Sequence, residues 1–268
     1  MTAAAIPSVR FDIGRVVGRV FSVIGRNWLV FGLLALLLGA LPQTVITWQQ
    51  MAVFRLIGFG NPNATPDPSA FGSFFLGYAG AAAVVLVCLF ILQAALVHGV
   101  VADLNGRKPT FGECLGSGLR FFLPLLAIAI LAGIAVAFGF LLFIVPGVLM
   151  ALAWMVVVPA EVVERKGVFG AFSRSAELTR GHRGSLFLLV LIYWVLSWIL
   201  GSAMMSVTGP LLFAARQGLS NLWPMFAANA LAQLVQSVIG AVGIASIYYE
   251  LRMVKEGIGP DALASVFD

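Results

Sequence analysis

Long apolar stretches separated by short polar segments dominate the pattern along this chain. Six of the stretches reach the roughly 20 residues that a helix needs to cross a hydrocarbon core of about 30 Å. They are Trp28–Trp48, Phe74–Ala102, Phe121–Phe140, Pro146–Val163, Ser185–Val207 and Met225–Tyr249. The pattern therefore predicts an all-α integral membrane protein with six transmembrane helices.

The third and fourth stretches form one nearly unbroken apolar run, which must reverse direction near Leu142–Gly147. Proline suits the first turn of a helix, because its missing N–H would have no partner there. We therefore expect the fourth helix to begin at Pro146 and to bend again at Pro159.

A short basic segment with helical periodicity precedes each pair of predicted membrane helices. The three segments begin at Phe11, Phe111 and Phe169. In the third, Phe169, Phe172 and Ala176 share an apolar face, and Arg174, Glu177 and Arg180 lie opposite. Such helices lie in the headgroup plane and do not cross it. The segments predict three cytoplasmic-side amphipathic interfacial helices.

These segments suggest a pseudo-threefold repeat of helical hairpins. The units would cover approximately residues 8–106, 107–166 and 167–257 of a single membrane domain, 1–268, with a short tail at 258–268. The hairpin ends are also alike, since Asp103, Glu164 and Glu250 each stand near a base and a glycine. Chance similarity among amphipathic segments is the alternative explanation.

Composition excludes a water-soluble globule. Of the 268 residues, 61% are apolar and 10% are charged, and the mean hydropathy is +1.03, whereas soluble domains carry about 25% charged residues. Fourteen of the sixteen Lys and Arg residues fall on one side of the predicted topology, and only Arg55 and Arg216 fall on the other. The positive-inside rule then predicts cytoplasmic N- and C-termini.

The same charge distribution accounts for the pI of about 9.7. Anionic headgroups attract basic residues at the cytoplasmic surface, so we expect membrane lipids as partners and no nucleic acid. A protein partner or a homo-oligomer stays open. No catalytic residue, cofactor or metal site is predicted, because the two histidines lack metal-ligand spacing.

A few polar and small positions inside the predicted spans are candidates for packing or function. Asn229, Gln233 and Gln236 follow one side of the sixth helix and could line a substrate path or hydrogen-bond across the bundle. Glu161 lies within a turn of a cytoplasmic helix end, where it could cap that end or carry protons. Small residues at four-residue spacing predict packing faces on the third helix, at Ala129, Gly133 and Ala137, and on the sixth, at Ser237, Ala241 and Ala245.

One stretch carries a family resemblance. Val145-Pro146-Gly147 is followed by Pro159, and then by Glu164-Arg-Lys-Gly167 and the pattern Gly170-Ala171-x-x-Arg174-Ser175-x-x-Leu178-Thr179. This stretch resembles bacterial inner-membrane proteins of the YciC (UPF0259) type, and it is similar to the membrane domain of some glycerophosphodiester phosphodiesterases. The resemblance implies an α-helical integral membrane domain of largely unassigned function in a bacterial cytoplasmic membrane.

In the phosphodiesterases catalysis belongs to a separate soluble barrel, which this sequence does not contain, so we do not expect their activity here. The resemblance marks Pro146, Gly147, Pro159, Glu164, Arg174 and Arg180 as candidate motif residues, with Glu177 inside the segment. Glu161 departs from the family, in which an apolar residue is usual at that position.

Three functions remain open from the sequence. The first is a non-enzymatic inner-membrane protein with a lipid- or envelope-associated role. The second is a small-solute transporter or channel, which would use the amide-bearing face of the sixth helix and Glu161 and would show a polar cavity at mid-membrane depth. The third is a membrane-embedded enzyme acting on lipid phosphodiesters, with Glu161, Glu164, Arg180 and His182 gathered at the interface.

Overall fold

A computed structural model describes residues 11–56, 68–216 and 223–257, and within these ranges the chain is helical, with no strand. Six helical segments are long and apolar enough to cross a membrane, and each overlaps one predicted stretch. They are Ile13–Gln49, Phe75–Leu104, Phe111–Leu142, Ile144–Glu164, Arg183–Pro210 and Trp223–Glu256. The prediction of an all-α membrane protein with six spans is confirmed.

Nine α-helices and one π-helical turn build these segments within the described residues. In chain order they are α1 Ile13–Ala35, the π turn Leu36–Ala40, α2 Leu41–Leu56, α3 Pro68–Leu104, α4 Phe111–Leu142, α5 Ile144–Ala153, α6 Val157–Glu164, α7 Gly167–Thr179, α8 Arg183–Arg216 and α9 Trp223–Glu256. The tail 258–268 lies outside the described residues, and so does Arg10.

The first amphipathic segment forms the beginning of α1. The Asp12 carboxylate caps the helix by accepting the N–H of Gly14 at 2.8 Å, as expected of an N-cap aspartate. Val16, Val20 and Val23 are buried at helical spacing, so this apolar stripe packs against the protein. At Asn27 the backbone departs from helical geometry, with φ −121° and ψ 22°, which separates the segment from the membrane-crossing part of α1.

The other two amphipathic segments differ from each other. The second is continuous with the third span, because a capping box between Thr110 and Glu113 starts α4, which then runs to Leu142 without interruption. The third is a separate helix, α7, which follows the left-handed residue Arg165, begins at Gly167, where φ is +75°, and ends before Gly181, where φ is +90°. Their placement in a headgroup plane and the threefold repeat stay predictions.

The hairpin between the third and fourth spans reverses within the predicted segment. Phe143 is extended, with φ −161° and ψ 155°, and α5 begins at Ile144. The fourth span thus starts two residues before Pro146, where it was predicted to begin. The proline still lies in the first turn of α5. The N–H groups of a first turn have no carbonyl partner within the helix, so the missing N–H of proline costs no hydrogen bond there.

The fourth span breaks between α5 and α6, close to Pro159 as predicted. The backbone of Trp154 and Val156 is not helical, and Pro159 has no N–H to donate to the turn that precedes it. Within the break, the Val157 N–H donates to the Trp154 carbonyl at 3.2 Å. The carbonyl of Ala153 therefore lacks its regular partner inside the helix.

The core lies mainly between α1, α3, α4, α6 and α9, toward one end of the bundle. Among its fully buried side chains are Phe31, Leu34, Leu96 and Leu251. In contrast, α8 packs mainly against α9 and α5, and most of its large apolar side chains face outward. The core therefore rests mainly on the first, second, third, fourth and sixth spans.

The predicted small-residue faces have different outcomes. Ala241 and Ala245 of α9 are buried, which confirms that face. The face on the third helix is wrong, because Gly133 is exposed and a Cβ there would meet nothing within 4 Å. That helix approaches α3 through Gly118, where a Cβ would lie 2.5 Å from the Ile91 carbonyl oxygen.

Candidate functional site

One end of the bundle gathers the charged residues whose side chains the structure describes, and we call it the charged end. It comprises the ends of α3, α6 and α9, the beginnings of α1, α4 and α8, and the whole of α7. Ion pairs join α1, α3, α6, α7 and α9 to one another. The other end of the bundle includes the hairpin turn at Phe143.

Glu250 ties the last described helix to the first. Its side chain has no exposed surface and pairs with Arg19 at 3.2 Å and with Arg15 at 3.3 Å. The Arg19 guanidinium also lies over the Tyr249 ring, 4.6 Å from its centroid. A buried carboxylate needs such partners, because an unpaired charge there is strongly destabilising.

Glu164, at the end of α6, is the centre of a second cluster. Its carboxylate accepts hydrogen bonds from Arg174 Nε at 2.8 Å and from the Tyr248 hydroxyl at 2.7 Å. Lys166 Nζ lies 2.9 Å from its other oxygen. Three separate elements, α6, α7 and α9, therefore meet on one carboxylate.

Arg174 links this cluster to two more acids. It pairs with Glu256 of α9, and it contacts the exposed Glu177 at 3.3 Å. Burial alone would lower the pKa of Arg174, but the hydrogen bonds and charges of Glu164 and Glu177 outweigh it and raise the pKa above its usual value. The guanidinium is thus held in its charged form at every ordinary pH.

Asp103, at the end of α3, accepts hydrogen bonds from Arg26 at 2.5 Å and from the Asn27 amide at 2.7 Å. The three acids that the sequence places at the hairpin ends, Asp103, Glu164 and Glu250, therefore each receive an arginine from an amphipathic segment. The sequence pattern identifies the acids, and the structure supplies their partners.

The Ser and Thr of the family-like segment hold α7 against the break in the fourth span. The Ser175 hydroxyl donates to the Ala153 carbonyl at 2.9 Å, and the Thr179 hydroxyl lies 3.2 Å from the same oxygen. Ala171 and Leu178 of the same segment are fully buried. The Ser175 hydroxyl thus supplies the partner that the broken helix leaves absent, and the Thr179 hydroxyl lies between this oxygen and the Ser175 carbonyl of its own helix, at 2.9 Å from the latter.

The remaining motif candidates lie in different places. Pro146 and Gly147 belong to the α4–α5 hairpin, at the end of the span opposite Glu164. Arg180 ends α7 in an extended conformation and is exposed. The structure therefore divides the family-like residues between a hairpin turn and the charged end.

Glu161 is buried on α6, with 4% of its surface exposed. Its carboxylate accepts the N–H of Gly167, and its Oε2 atom has no hydrogen-bond partner within the described residues. It does not line the cavity that holds Gln233 and Gln236. The two features that the transport hypothesis uses, Glu161 and the amide-bearing face of the sixth helix, therefore do not share one cavity in the described chain.

A cavity of about 290 Å³ lies between α3, α8 and α9, and we call it the polar cleft. Its polar lining residues are Gln93, Tyr193, Gln233, Gln236 and Ser237. Gln233 and Gln236 are thus cavity-lining, as the sequence allowed. Asn229 is not, because its amide donates to the Met225 carbonyl at 2.9 Å in its own helix. The sequence analysis missed Tyr193, a lone hydroxyl in an aromatic and aliphatic stretch.

Several cations of the charged end have no acid partner. Within the described ranges, no carboxylate lies at ion-pair distance from Arg107, Lys108, Arg120 or Arg180, and all four side chains are exposed. Most acids of the charged end are already paired with other arginines. Glu113, whose charge lies near that of Arg107, bonds to Thr110. The charged end therefore presents a surplus of positive charge.

Two of the residues proposed for a lipid phosphodiesterase contact other side chains of the protein. Glu164 is engaged by Arg174 and Tyr248, and His182 packs on the Phe11 ring at 5.8 Å. No three acid, histidine or cysteine side chains of the described ranges gather as a metal site would require.

The fold and the charged end define a multi-pass α-helical membrane protein. The chain is similar to a UPF0259 membrane protein of Pectobacterium carotovorum, with 28% identity over 122 residues, or 44% of this chain and 48% of the relative. The match thus spans about half the length of that relative. It supports the predicted resemblance to the YciC-like UPF0259 family, whereas the phosphodiesterase resemblance has no support.

No family model matches the chain. No solved structure matches it either.

Proposed function

We propose that this protein is a non-enzymatic component of the bacterial inner membrane that binds anionic lipid headgroups at its charged end. Both termini would lie in the cytoplasm. The observation that carries the proposal is the surplus of exposed cations beside acids that are already paired. The role is therefore lipid- or envelope-associated.

The surplus cations suit phosphate-bearing headgroups because of where they lie. Arg107 and Lys108 lie in the connection between α3 and α4. Arg120 lies in the amphipathic segment at the beginning of α4, the helix that Thr110 caps. Each Lys or Arg near an anionic membrane surface contributes about 1 kcal/mol to the attraction. A lipid phosphate would give these side chains the partners that the protein does not.

A structural role for the acids supports the non-enzymatic part of the proposal. A general acid or base must be free to exchange a proton with a substrate, whereas Glu164 and Glu250 are held by arginines inside the protein. The same ion pairs stabilise the contacts between α1, α7 and α9. The geometry of these ion pairs therefore suits the packing of the helices against one another.

The lipid proposal is tested by retention of phosphatidylglycerol during purification. The triple variant Arg107→Gln/Lys108→Gln/Arg120→Gln should bind phosphatidylglycerol more weakly by about fivefold for each cation lost. Native mass spectrometry in mixed phosphatidylglycerol and phosphatidylcholine nanodiscs measures the retained lipid. The control is Lys166→Gln, whose ammonium is already paired with Glu164 at 2.9 Å. Equal retention by the triple variant and the control would refute the proposal.

The orientation is tested separately with single cysteines. Lys108→Cys lies at the charged end, and Ile144→Cys lies at the opposite hairpin, where the side chain is exposed. A membrane-impermeant maleimide should label Ile144→Cys in spheroplasts and Lys108→Cys only after permeabilisation. The parent chain, with Cys114 buried and Cys88 half-buried, gives the background. The opposite labelling pattern would reverse the proposed topology.

Small-solute transport is the second candidate, and the polar cleft favours it. Amides at mid-membrane depth could pass an uncharged solute from one face to the other. Flux of glycerol and urea into proteoliposomes, followed by stopped-flow light scattering, tests this function. A rate equal to that of protein-free vesicles would exclude it for solutes of this class.

A further inference from the structure

Two cavities flank the line where α8 meets α9. One is the polar cleft. The other, which we call the apolar groove, has a volume of about 220 Å³ between α1, α8 and α9. Tyr193, Gly240 and Ile244 line both cavities. The two spaces are therefore separated only by the residues that form the α8–α9 contact.

The polar cleft offers hydrogen-bonding groups that the protein does not use. No hydrogen bond joins the side-chain amides of Gln93, Gln233 or Gln236 to another described residue. By contrast, the Ser237 hydroxyl donates to the Leu234 carbonyl at 3.0 Å. Unsatisfied polar groups are costly in hydrocarbon, so the amides favour an occupant that both donates and accepts hydrogen bonds.

That occupant must also be uncharged. All the residues that line the polar cleft are neutral, and an ion placed there would find no opposite charge. The cost of an unpaired charge inside a membrane is high. A phospholipid headgroup is disfavoured for the same reason.

The depth of the cleft limits where an occupant comes from. At 1.5 Å per residue, Gln93 lies about 15 Å along α3 from Asp103, and Gln236 lies about 21 Å along α9 from Glu250. Both distances fall well inside a hydrocarbon core of about 30 Å. A molecule that dissolves in the hydrocarbon reaches this depth directly.

The apolar groove can take the rest of such a molecule. It is lined almost wholly by aliphatic and aromatic side chains, including Phe21, Leu189 and Leu196. Gly240 lies between the two spaces, and a Cβ there would be 3.3 Å from the Tyr193 hydroxyl. Because residue 240 has no side chain, the polar cleft and the apolar groove stay adjacent to each other.

We propose that the polar cleft and the apolar groove together form a binding site for an uncharged lipid with a hydroxyl-bearing head, of the monoacylglycerol or diacylglycerol class. The head hydrogen-bonds to Gln93, Gln233 and Gln236, and one acyl chain lies along the apolar groove. This site is distinct from the cations of the charged end and does not depend on the function proposed for them.

The site is tested by photocrosslinking the full chain in phosphatidylcholine nanodiscs. The probe is a monoacylglycerol with a diazirine in its acyl chain, and the matched control lipid is phosphatidylglycerol with the same chain. Peptides of α8 and α9 that border the apolar groove should crosslink preferentially to the monoacylglycerol. Equal crosslinking by the two lipids would show ordinary lipid contact and overturn the proposal.

Variants then test the amides. Each interhelical hydrogen bond in a membrane is worth about a threefold change in binding, so Gln233→Leu should lower crosslinking about threefold and Gln233→Leu/Gln236→Leu about eightfold. Asn229→Leu is the matched control, because its amide bonds within its own helix. Unchanged crosslinking in the double variant would also overturn the proposal.

Two further arms keep the test independent of folding and of ligand source. Gly240→Val retains every amide but fills space beside Tyr193, so it should lower crosslinking. This variant tests the site even if the double variant fails to fold. Unlabelled monooleoylglycerol should compete, whereas free glycerol should not. Displacement by glycerol alone would assign the site to a soluble solute. The triple variant of the charged end should crosslink as the parent chain does.

Discussion

Ser175 and Thr179 place their hydroxyls near one backbone oxygen, that of Ala153, at 2.9 and 3.2 Å. Both side chains are fully buried. The oxygen needs a partner because the helix breaks at Trp154, and no water of the bulk phase reaches it. Four residues apart on α7, the two hydroxyls lie on the same face of that helix. Single side chains thus decide how α7 meets the fourth span.

Removing both hydroxyls should destabilise the protein. Ser175→Ala/Thr179→Val leaves the Ala153 carbonyl buried without a donor, at a cost of about 1–3 kcal/mol. Thermal unfolding of the purified chain in detergent should show a lowered Tm. The matched control is Ser202→Ala, because the exposed Ser202 hydroxyl bonds to Trp198 in its own helix. A Tm equal to that of the control would contradict this account of α7.

His182 makes stability depend on pH. Its pKa is lowered by burial and by the nearby positive charge of Lys255, so the native state binds a proton less readily than the unfolded chain. The contribution of His182 is fully present above the ordinary histidine pKa and is lost progressively as the pH falls from that value through the lowered pKa of the folded state. The Tm of the parent chain should fall more between pH 7.5 and 5.5 than the Tm of His182→Gln. Identical pH dependence in the two proteins would refute this.

At the scale of elements, the α4–α5 hairpin reverses the chain with a single residue, Phe143, between its two helices. Gly139 and Gly147 face each other there, and a Cβ on Gly139 would lie 3.0 Å from the Gly147 Cα. A Cβ on Gly147 would lie 2.5 Å from the Phe140 ring. The absence of side chains lets the two helices approach directly after the extended residue Phe143. This requirement is steric, since neither glycine has a positive φ.

Alanine at the hairpin should therefore be destabilising. Gly147→Ala forces the Phe140 ring to move, at a cost typical of overpacking, about 1–3 kcal/mol. Gly133→Ala on the same α4 is the control, because a Cβ there meets nothing within 4 Å and alanine favours the helix by about 1 kcal/mol. Unfolding monitored by circular dichroism in detergent should show a lowered stability for Gly147→Ala and a raised stability for Gly133→Ala. Equal effects would refute the steric argument.

These glycines show what the sequence could and could not predict about elements. Segment length and apolar composition predict the six spans, because the bilayer imposes both. Four-residue spacing of small residues finds Ala241 and Ala245 but also Gly133, which faces outward. The spacing identifies a helix face made of small residues, but it does not show whether another helix packs against that face. The contact of Gly118 with the Ile91 carbonyl depends on tertiary placement alone.

At the scale of the whole molecule, ion pairs connect elements that are far apart in sequence. Arg174 of α7 contacts acids of α6 and α9, and Arg15 and Arg19 of α1 contact Glu250. The sequence predicts that acids and bases gather on one face, since the positive-inside rule fixes the side. It does not predict which arginine meets which acid, nor that Tyr248 joins Glu164. Those pairings follow from the packing of α9 against its neighbours.

Charge reversal should separate two arginines of the same segment. Arg174→Glu places a carboxylate beside Glu164 and Glu256, so it should cost at least the 3–5 kcal/mol typical of a broken buried pair and lower the membrane-inserted yield. Arg180→Glu alters an exposed side chain without an acid partner in the described chain and should have a small effect on stability. Quantitative blotting of membrane fractions measures the yield. Equal loss of yield in both variants would show that topology, and not the ion pairs, governs insertion.

The pairing of Glu250 with Arg19 has a consequence for biosynthesis. Since α9 is translated after the other described helices, the guanidiniums of Arg15 and Arg19 meet their buried acid only after α9 has left the ribosome. Val16 and Val20 of α1 likewise lack the part of their packing that α9 provides until α9 is in place. A nascent chain stopped before α9 would therefore expose arginines without their buried acid and apolar side chains of α1 without their full cover. The core can be completed only once α9 has been made and inserted.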